Sequence, residues 1–329
     1  MTGNMAVTGG AGFIGSNLAE YLLNMGCTVT VIDNLSTGRE QNLSGWSEQA
    51  GSRFRFLRMD INDTQQLRRA FEGVCYVFHL AAIPSVARSI EDPAATQFSN
   101  INGTLSVLMA ARDAGIRRVI AASSSSIYGD DPNLPKKEDR VGKCLSPYAL
   151  SKAVTEEYCR LFYQLYGLET VCLRYFNVFG PRQNPHSDYA AVIPLFSTSM
   201  LAGRQPVVYG DGEQTRDFTF ISNVVEANWK AATAQGVSGE AFNIGCGTRT
   251  SLNQLIQKLN QILGSDLKAV YQNARKGDVR NSVADVGKAQ TMLGYSPATS
   301  LEQGLRHVVD WYRKDSEVGT VQDRRLSEP

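Results

Sequence analysis

A chain of 329 residues is long enough for one large or two modest domains around a sizeable buried core. Its 33 basic and 32 acidic residues leave a formal charge of +1, without the basic field that a nucleic-acid or membrane-surface binder needs. No apolar run approaches a membrane span, three histidines weigh against a metal site, and six scattered cysteines without a C-x-x-C pair read as the reduced thiols of a cytoplasmic protein.

Met5-Ala6-Val7-Thr8 predicts a short buried strand at the very start, with no signal peptide expected ahead of it. Gly9-Gly10-Ala11-Gly12-Phe13-Ile14-Gly15 follows directly. A helix comes next, with apolar positions at Leu18, Tyr21, Leu22 and Met25. The second strand, Thr28 to Ile32, stops at Asp33. Further strands are expected over 54–57, 76–80, 118–122 and 170–174, and helices near 64–72, 95–114 and 148–166. This alternation predicts an α/β fold, a Rossmann-type doubly wound parallel sheet covered on both faces. After about residue 175 the rhythm loosens at Pro181, Pro185, Pro194 and Pro206. The expected division is a nucleotide-binding unit of residues 1–175, joined again by about 215–245, and a smaller discontinuous α/β substrate unit of 176–214 and 246–314. Helices are predicted from Leu252 to Leu263 and from Leu301 to Arg313, and residues 315–329 read as a frayed polar tail.

Thr8-Gly9-x-x-Gly12-x-x-Gly15 stands between a strand and a helix, the context that gives a glycine motif meaning. Glycines let the backbone turn tightly and approach a pyrophosphate, while the helix N-terminus offers unpaired N–H groups. Asp33 lies 18 residues beyond Gly15, where a carboxylate can accept from an adenosine ribose hydroxyl. That acid favours NAD over NADP, with Arg39 nearby keeping the phosphorylated cofactor as the alternative. Asp60 and Ile61 end the third strand and suit adenine. Leu80, Ala81 and Ala82 end the fourth and leave room for the cofactor.

Tyr148 and Lys152 are four residues apart and share one helix face. A lysine cation beside a phenol favours the phenolate, which makes tyrosine a usable base. The preceding run Ser123-Ser124-Ser125-Ser126 supplies hydroxyls to orient a substrate oxygen. That set makes or unmakes a carbonyl, and a hydride carrier completes it. The plain alternative is an exposed helix with a tyrosine on a lysine stem.

In this order the motifs resemble the extended short-chain dehydrogenase/reductase family across nearly the whole chain. Arg174-Tyr175-Phe176-Asn177-Val178-Phe179-Gly180-Pro181, Gly210-Asp211-Gly212 and Thr215-Arg216-Asp217-Phe218 are similar to its nucleotide-sugar branch. Ser124-Ser125-Ser126-Ile127-Tyr128-Gly129 carries no acid before Asp130, so the acid and base that elimination requires are missing and epimerisation is implied. Gly142-Lys143-x-Leu145-Ser146-Pro147-Tyr148-Ala149 and Tyr189-Ala190-Ala191-Val192-Ile193-Pro194 resemble the UDP-N-acetylhexosamine 4-epimerases of the UDP-galactose 4-epimerase family. One departure is the loop Ile83-Pro84-Ser85-Val86-Ala87-Arg88, which lacks the lysine usual in the glucose/galactose enzymes.

The resemblance implies a tightly held NAD, with Tyr148 as acid–base, Ser124 on the sugar 4-oxygen and Lys152 holding the nicotinamide ribose and, together with the nicotinamide's positive charge, depressing the tyrosine pKa. It implies cofactor contacts from Phe13, Ile14, Asn34, Ser36, Asn100 and Tyr175, besides Gly9, Gly12, Gly15, Asp33, Asp60, Ile61 and Leu80–Ala82. For a UDP-sugar it implies Ser85, Arg88, Ser125 and Ser126 near the sugar. Asn177, Arg216 and Arg275 would hold the diphosphate, Ala191 and Val192 the uracil, and Asp278 the uridine ribose. Gln183, Val207 and Tyr209 complete that set. Ser282 stands where a small residue would admit a 2-acetamido group, and Arg88 would welcome a carboxylate, so uronic sugars stay open. Helices around 95–114 and 148–166 would build a homodimer through a four-helix bundle. The reading from another class is a non-catalytic NAD-binding sensor or scaffold.

Overall fold

The computed structural model describes residues 3–185, 190–274 and 279–326, as backbone alone beyond Lys314. The strands are β1 (Asn4–Thr8), β2 (Thr28–Asp33), β3 (Phe54–Arg58), β4 (Tyr76–His79), β5 (Arg118–Ser124), β6 (Glu169–Tyr175), β7 (Val178–Phe179), β8 (Val207–Tyr209), β9 (Thr215–Arg216), β10 (Thr219–Phe220), β11 (Glu240–Ile244), β12 (Thr250–Ser251) and β13 (Val270–Gln272). The first six and β11 form one sheet in the order β11-β6-β5-β4-β1-β2-β3, with every neighbouring pair parallel. The order reverses between β1 and β4. Loops leaving their C-terminal ends diverge there and open a crevice.

The helices are α1 (Phe13–Asn24), α2 (Trp46–Ala50), α3 (Thr64–Ala70), α4 (Val86–Glu91), α5 (Pro93–Thr96), α6 (Gly103–Asp113), α7 (Pro147–Tyr166), α8 (Val192–Leu201), α9 (Ile221–Thr233), α10 (Leu252–Leu263), α11 (Gly287–Leu293) and α12 (Leu301–Leu326). Successive strand residues point to opposite faces, and each face is covered. Val7, Val31, Phe78, Ile120 and Leu173 pack with Leu18 and Leu22 of α1 and with Val224 and Ala227 of α9. Ala6, Ile32, Val77, Val119 and Ala121 pack with Leu67 of α3, Leu108 of α6 and Phe162 of α7. Both faces being buried explains why these strands read as unbroken apolar runs.

Two elements differ from expectation. The predicted helix over 95–114 is α5, a π-helical turn at Gln97–Asn102 and then α6. Residue 315 onward was expected to fray, yet the α12 backbone continues to Leu326. No proline interrupts that stretch, and extending an existing helix costs far less than starting one. Among the described residues no helix is long and apolar enough to cross a membrane.

Candidate active site

The turn between β1 and α1 is built by absent side chains. Gly9 adopts φ +69°, and a Cβ there would lie 2.6 Å from the Ala81 nitrogen on the chain leaving β4. A Cβ on Gly15 would collide with the Gly9 carbonyl. No side chain caps α1 at Gly12, so its first N–H groups are left for an anion. Around this turn lies a cavity of about 340 Å³. Gly9, Gly12, Phe13, Ile14, Gly15, Asp33, Asn34, Ser36, Asp60, Ile61, Leu80, Ala81, Ala82, Ser85, Arg88, Tyr148, Lys152 and Tyr175 all line it. Uncapped helix, close glycine approach and terminal carboxylate fit an adenine dinucleotide.

Asp33 is buried at the end of β2, accepting from Leu35 N–H at 2.8 Å and Ala11 N–H at 3.0 Å. Burial pushes its pKa up, against the pull of those two bonds. At Asp60 burial is outweighed, and bonds from Asn62 and Asn34 hold the carboxyl below its usual range. Asn34 thereby ties the β2 loop to the β3 loop. Asn100 does not line the cavity. Its amide accepts from Ile83 N–H at 2.8 Å and donates to Ile83 carbonyl and the Ser151 hydroxyl, so it holds the β4 loop against α7.

α7 carries the remaining chemistry. Ser146 caps it by accepting from Ala149 N–H at 3.1 Å, Pro147 opens its first turn, and Gly167 closes it at φ +71°. This start places Tyr148 at the cavity, with its N–H donating to Ser89 of α4. Ser124 lies close enough to the Tyr148 phenol to pull its pKa down, and its oxygen accepts from Ser126 N–H at 3.1 Å. One turn on, Lys152 is buried, donates to the Ala122 carbonyl at 2.9 Å and lies 5.9 Å from the Tyr148 ring centre.

Without the cofactor's charge, burial dominates the electrostatics of this pair. Burial pushes the Tyr148 phenol up, with Ser124 opposing it, and pushes Lys152 down to about 8. In the chain alone, desolvation outweighs the Ser124 interaction at the phenol. Ser123 is also spent elsewhere. It bonds Glu156 of α7, which Arg174 of β6 grips through two nitrogens at 2.8 and 2.9 Å. Ser125 starts the turn beyond β5, and the buried Ser126 hydroxyl has no partner among the described residues.

A second cavity of about 260 Å³ gathers Asn177, Ala191, Val192, Val207, Tyr209 and Arg216 around an apolar floor of Phe179, Phe196, Phe218 and Leu252. Asn177 adopts φ +31° and donates to the Asp217 carbonyl. Gln183 lines neither cavity: its side-chain amide donates to the Val178 carbonyl, and its backbone carbonyl accepts from the Tyr312 hydroxyl. Ser282 lies beside β9, its N–H bonded to the Thr215 carbonyl at 3.2 Å, and lines neither cavity. Tyr189, Arg275, Gly277 and Asp278 lie outside the described residues. Reading the sequence missed Thr37, Asn42, Ser99, Arg182 and Asn184 in the first cavity and the phenylalanine floor of the second. Only the position of Arg182, directly after Gly180-Pro181, offered a signal.

Relatives carry the same framework. A UDP-glucose 4-epimerase of Mycolicibacterium smegmatis is 38% identical over 314 residues, covering 94% of this chain and 99% of that protein. A UDP-N-acetylglucosamine 4-epimerase from Methanobrevibacter ruminantium, solved with UDP-N-acetylmuramic acid, superposes with a TM-score of 0.90 at 38% identity, covering 95% of this chain and 99% of the other. A UDP-glucuronic acid 4-epimerase from Bacillus cereus, solved with UDP-glucuronic acid and NAD, gives 0.86 at 33% identity, covering 94% and 99%. Residues 5–245, from β1 to the last strand of the sheet, match the family described as NAD dependent epimerase/dehydratase. The chain therefore belongs to the NAD-dependent epimerase/dehydratase family.

Proposed function

We propose that this protein is a 4-epimerase of UDP-hexoses, interconverting UDP-GlcNAc with UDP-GalNAc, and UDP-glucose with UDP-galactose, through a 4-keto sugar. The observation that carries the reading is Tyr148 lining the dinucleotide cavity with the buried Lys152 one turn on and Ser124 close to its phenol, at a strand end with no free carboxylate. Glu156, the acid that reaches this strand, is clamped by Arg174 and is no base for elimination. Bound NAD supplies a hydride acceptor and a positive charge. Tyr148 takes the proton of the sugar 4-hydroxyl and later returns it, while Ser124 holds the 4-oxygen. Lys152 keeps the ribose and the phenol in register. Asn177 and Arg216 anchor the diphosphate in the second cavity, so that the hexose turns while the nucleotide stays fixed.

A second reading takes a UDP-hexuronic acid as substrate. Arg88 lines the first cavity and is exposed there, which favours a carboxylate. Phe98 and Leu150 are 57% and 53% exposed on neighbouring parts of the helical layer, which supports a homodimer. The test is NMR of the purified chain with UDP-GlcNAc, UDP-glucose and UDP-glucuronate in turn. The expected result is UDP-GalNAc and UDP-galactose, with Tyr148→Phe slowed roughly 100- to 10,000-fold. No epimer from any of the three would overturn the enzyme reading, and a full-rate Tyr148→Phe variant would overturn the mechanism.

A further inference from the structure

Arg182 lines the dinucleotide cavity but has no task in the mechanism above. It follows Gly180-Pro181 in the loop after β7 and adopts φ +68°, a left-handed conformation unfavourable for a residue that carries a Cβ. Three contacts hold it there. Its Nη2 pairs with Glu20 of α1 at 2.9 Å, its guanidinium lies 5.7 Å from the Trp46 ring centre, and Asn17 of α1 donates to the Pro181 carbonyl at 3.1 Å. The side chain is only 19% exposed, and its buried Nη1 has no acceptor among the described residues. A charged donor kept from water without a partner is costly, so a fold that strains its backbone to present one implies an acceptor. The same cavity holds the uncapped start of α1 at Phe13 and Ile14. Backbone N–H groups and a fixed guanidinium fork together suit phosphate oxygens.

We propose that Arg182 is a further cofactor-binding residue, donating from Nη1 to the pyrophosphate of the dinucleotide, with Glu20 and Trp46 holding its fork in place. The proposal rests on the first cavity being the dinucleotide site. Calorimetric titration of the full chain, stripped of nucleotide, with ADP-ribose, adenosine and UDP tests both. Arg182→Gln should weaken ADP-ribose about 10- to 100-fold, the loss of one charge-assisted hydrogen bond, and leave adenosine and UDP within about twofold. Unchanged ADP-ribose affinity overturns the proposal, as does an equal loss for adenosine, which would place the contact on the nucleoside. If Arg182→Gln no longer binds UDP, its fold is disturbed and Arg182→Lys decides. That variant keeps the charge without the fork, so a loss confined to ADP-ribose supports the proposal and parental affinity overturns it. Failure of the unaltered chain to bind ADP-ribose would instead remove the cavity assignment itself.

Discussion

Burial works against charge at both working residues of the site: the Tyr148 phenol is pushed up and Lys152 down to about 8. At pH 7 the phenol is therefore neutral while the lysine still carries its proton, and a fixed positive charge nearby favours the phenolate. His79 shows the same physics in a supporting role. Its imidazole lies between the Thr8 hydroxyl at 2.8 Å and the Thr104 hydroxyl at 3.0 Å, joining the end of β1 to α6. Burial, aided by the Lys152 charge, pushes its pKa down to about 3. The unfolded chain takes up this proton near pH 6.5, and the folded chain refuses it. Stability from the neutral ring is thus full above about pH 6.5 and is lost as pH falls towards 3. Urea unfolding at pH 7, 6 and 5 should show a decline of up to about 1.4 kcal/mol per pH unit from this group, and His79→Gln should flatten it. Equal slopes in both proteins would remove His79 from the account. Tyr148, Lys152 and Asp33 were legible as residues because each sits at a fixed spacing from a local signal. The direction of their titration was not, because burial is set by chain segments far away in sequence.

At the scale of elements, α7 is tied to two strands at once. Glu156 receives the Ser123 hydroxyl of β5 and both arms of Arg174 of β6, residues that are register partners. Arg174 reaches on to the Tyr128 hydroxyl at 2.8 Å, which donates to Asn243 of β11 at 2.6 Å. This bridge fixes how α7 sits on the strand that carries Ser124, and so the separation of Ser124 and Tyr148. Glu156→Ala leaves a guanidinium buried without its partner and should cost about 3–5 kcal/mol in urea unfolding. Glu156→Leu combined with Arg174→Met should cost less than Glu156→Ala alone. A double variant weaker than the single one would show that the charges themselves are not at issue. The elements were largely predictable because both sheet faces bury apolar runs. The π-helical turn at Gln97–Asn102 was not, because its reason is Asn100 reaching the β4 loop and Ser151.

At the scale of the whole molecule, the seven-stranded sheet brings residues from 9 to 184 to one crevice, while the segments beyond β6 wall a second cavity. The outer helical layer supports the proposed dimer. The Asn100–Ser151 hydrogen bond joins the π-helical turn to α7, and Phe98 and Leu150 on these two segments are both exposed. Sedimentation should give a dimer for the parent and a monomer for Phe98→Glu combined with Leu150→Glu. A parent that sediments as a monomer would reject that interface.

The amino-acid sequence alone determined the alternating α/β order, the glycine turn, the acid after β2 and the Tyr148–Lys152 spacing. All of these are local consequences of side-chain periodicity and backbone freedom. Only the tertiary structure decided which serine lies by the phenol, that Ser123 and Glu156 belong to a buried ion-pair bridge, that Asn100 braces a loop and that Arg182, beside the cleft, keeps a buried donor unpaired among the described residues. Each of those outcomes depends on which distant segment excludes water from a polar group, and that is settled only when the chain is packed.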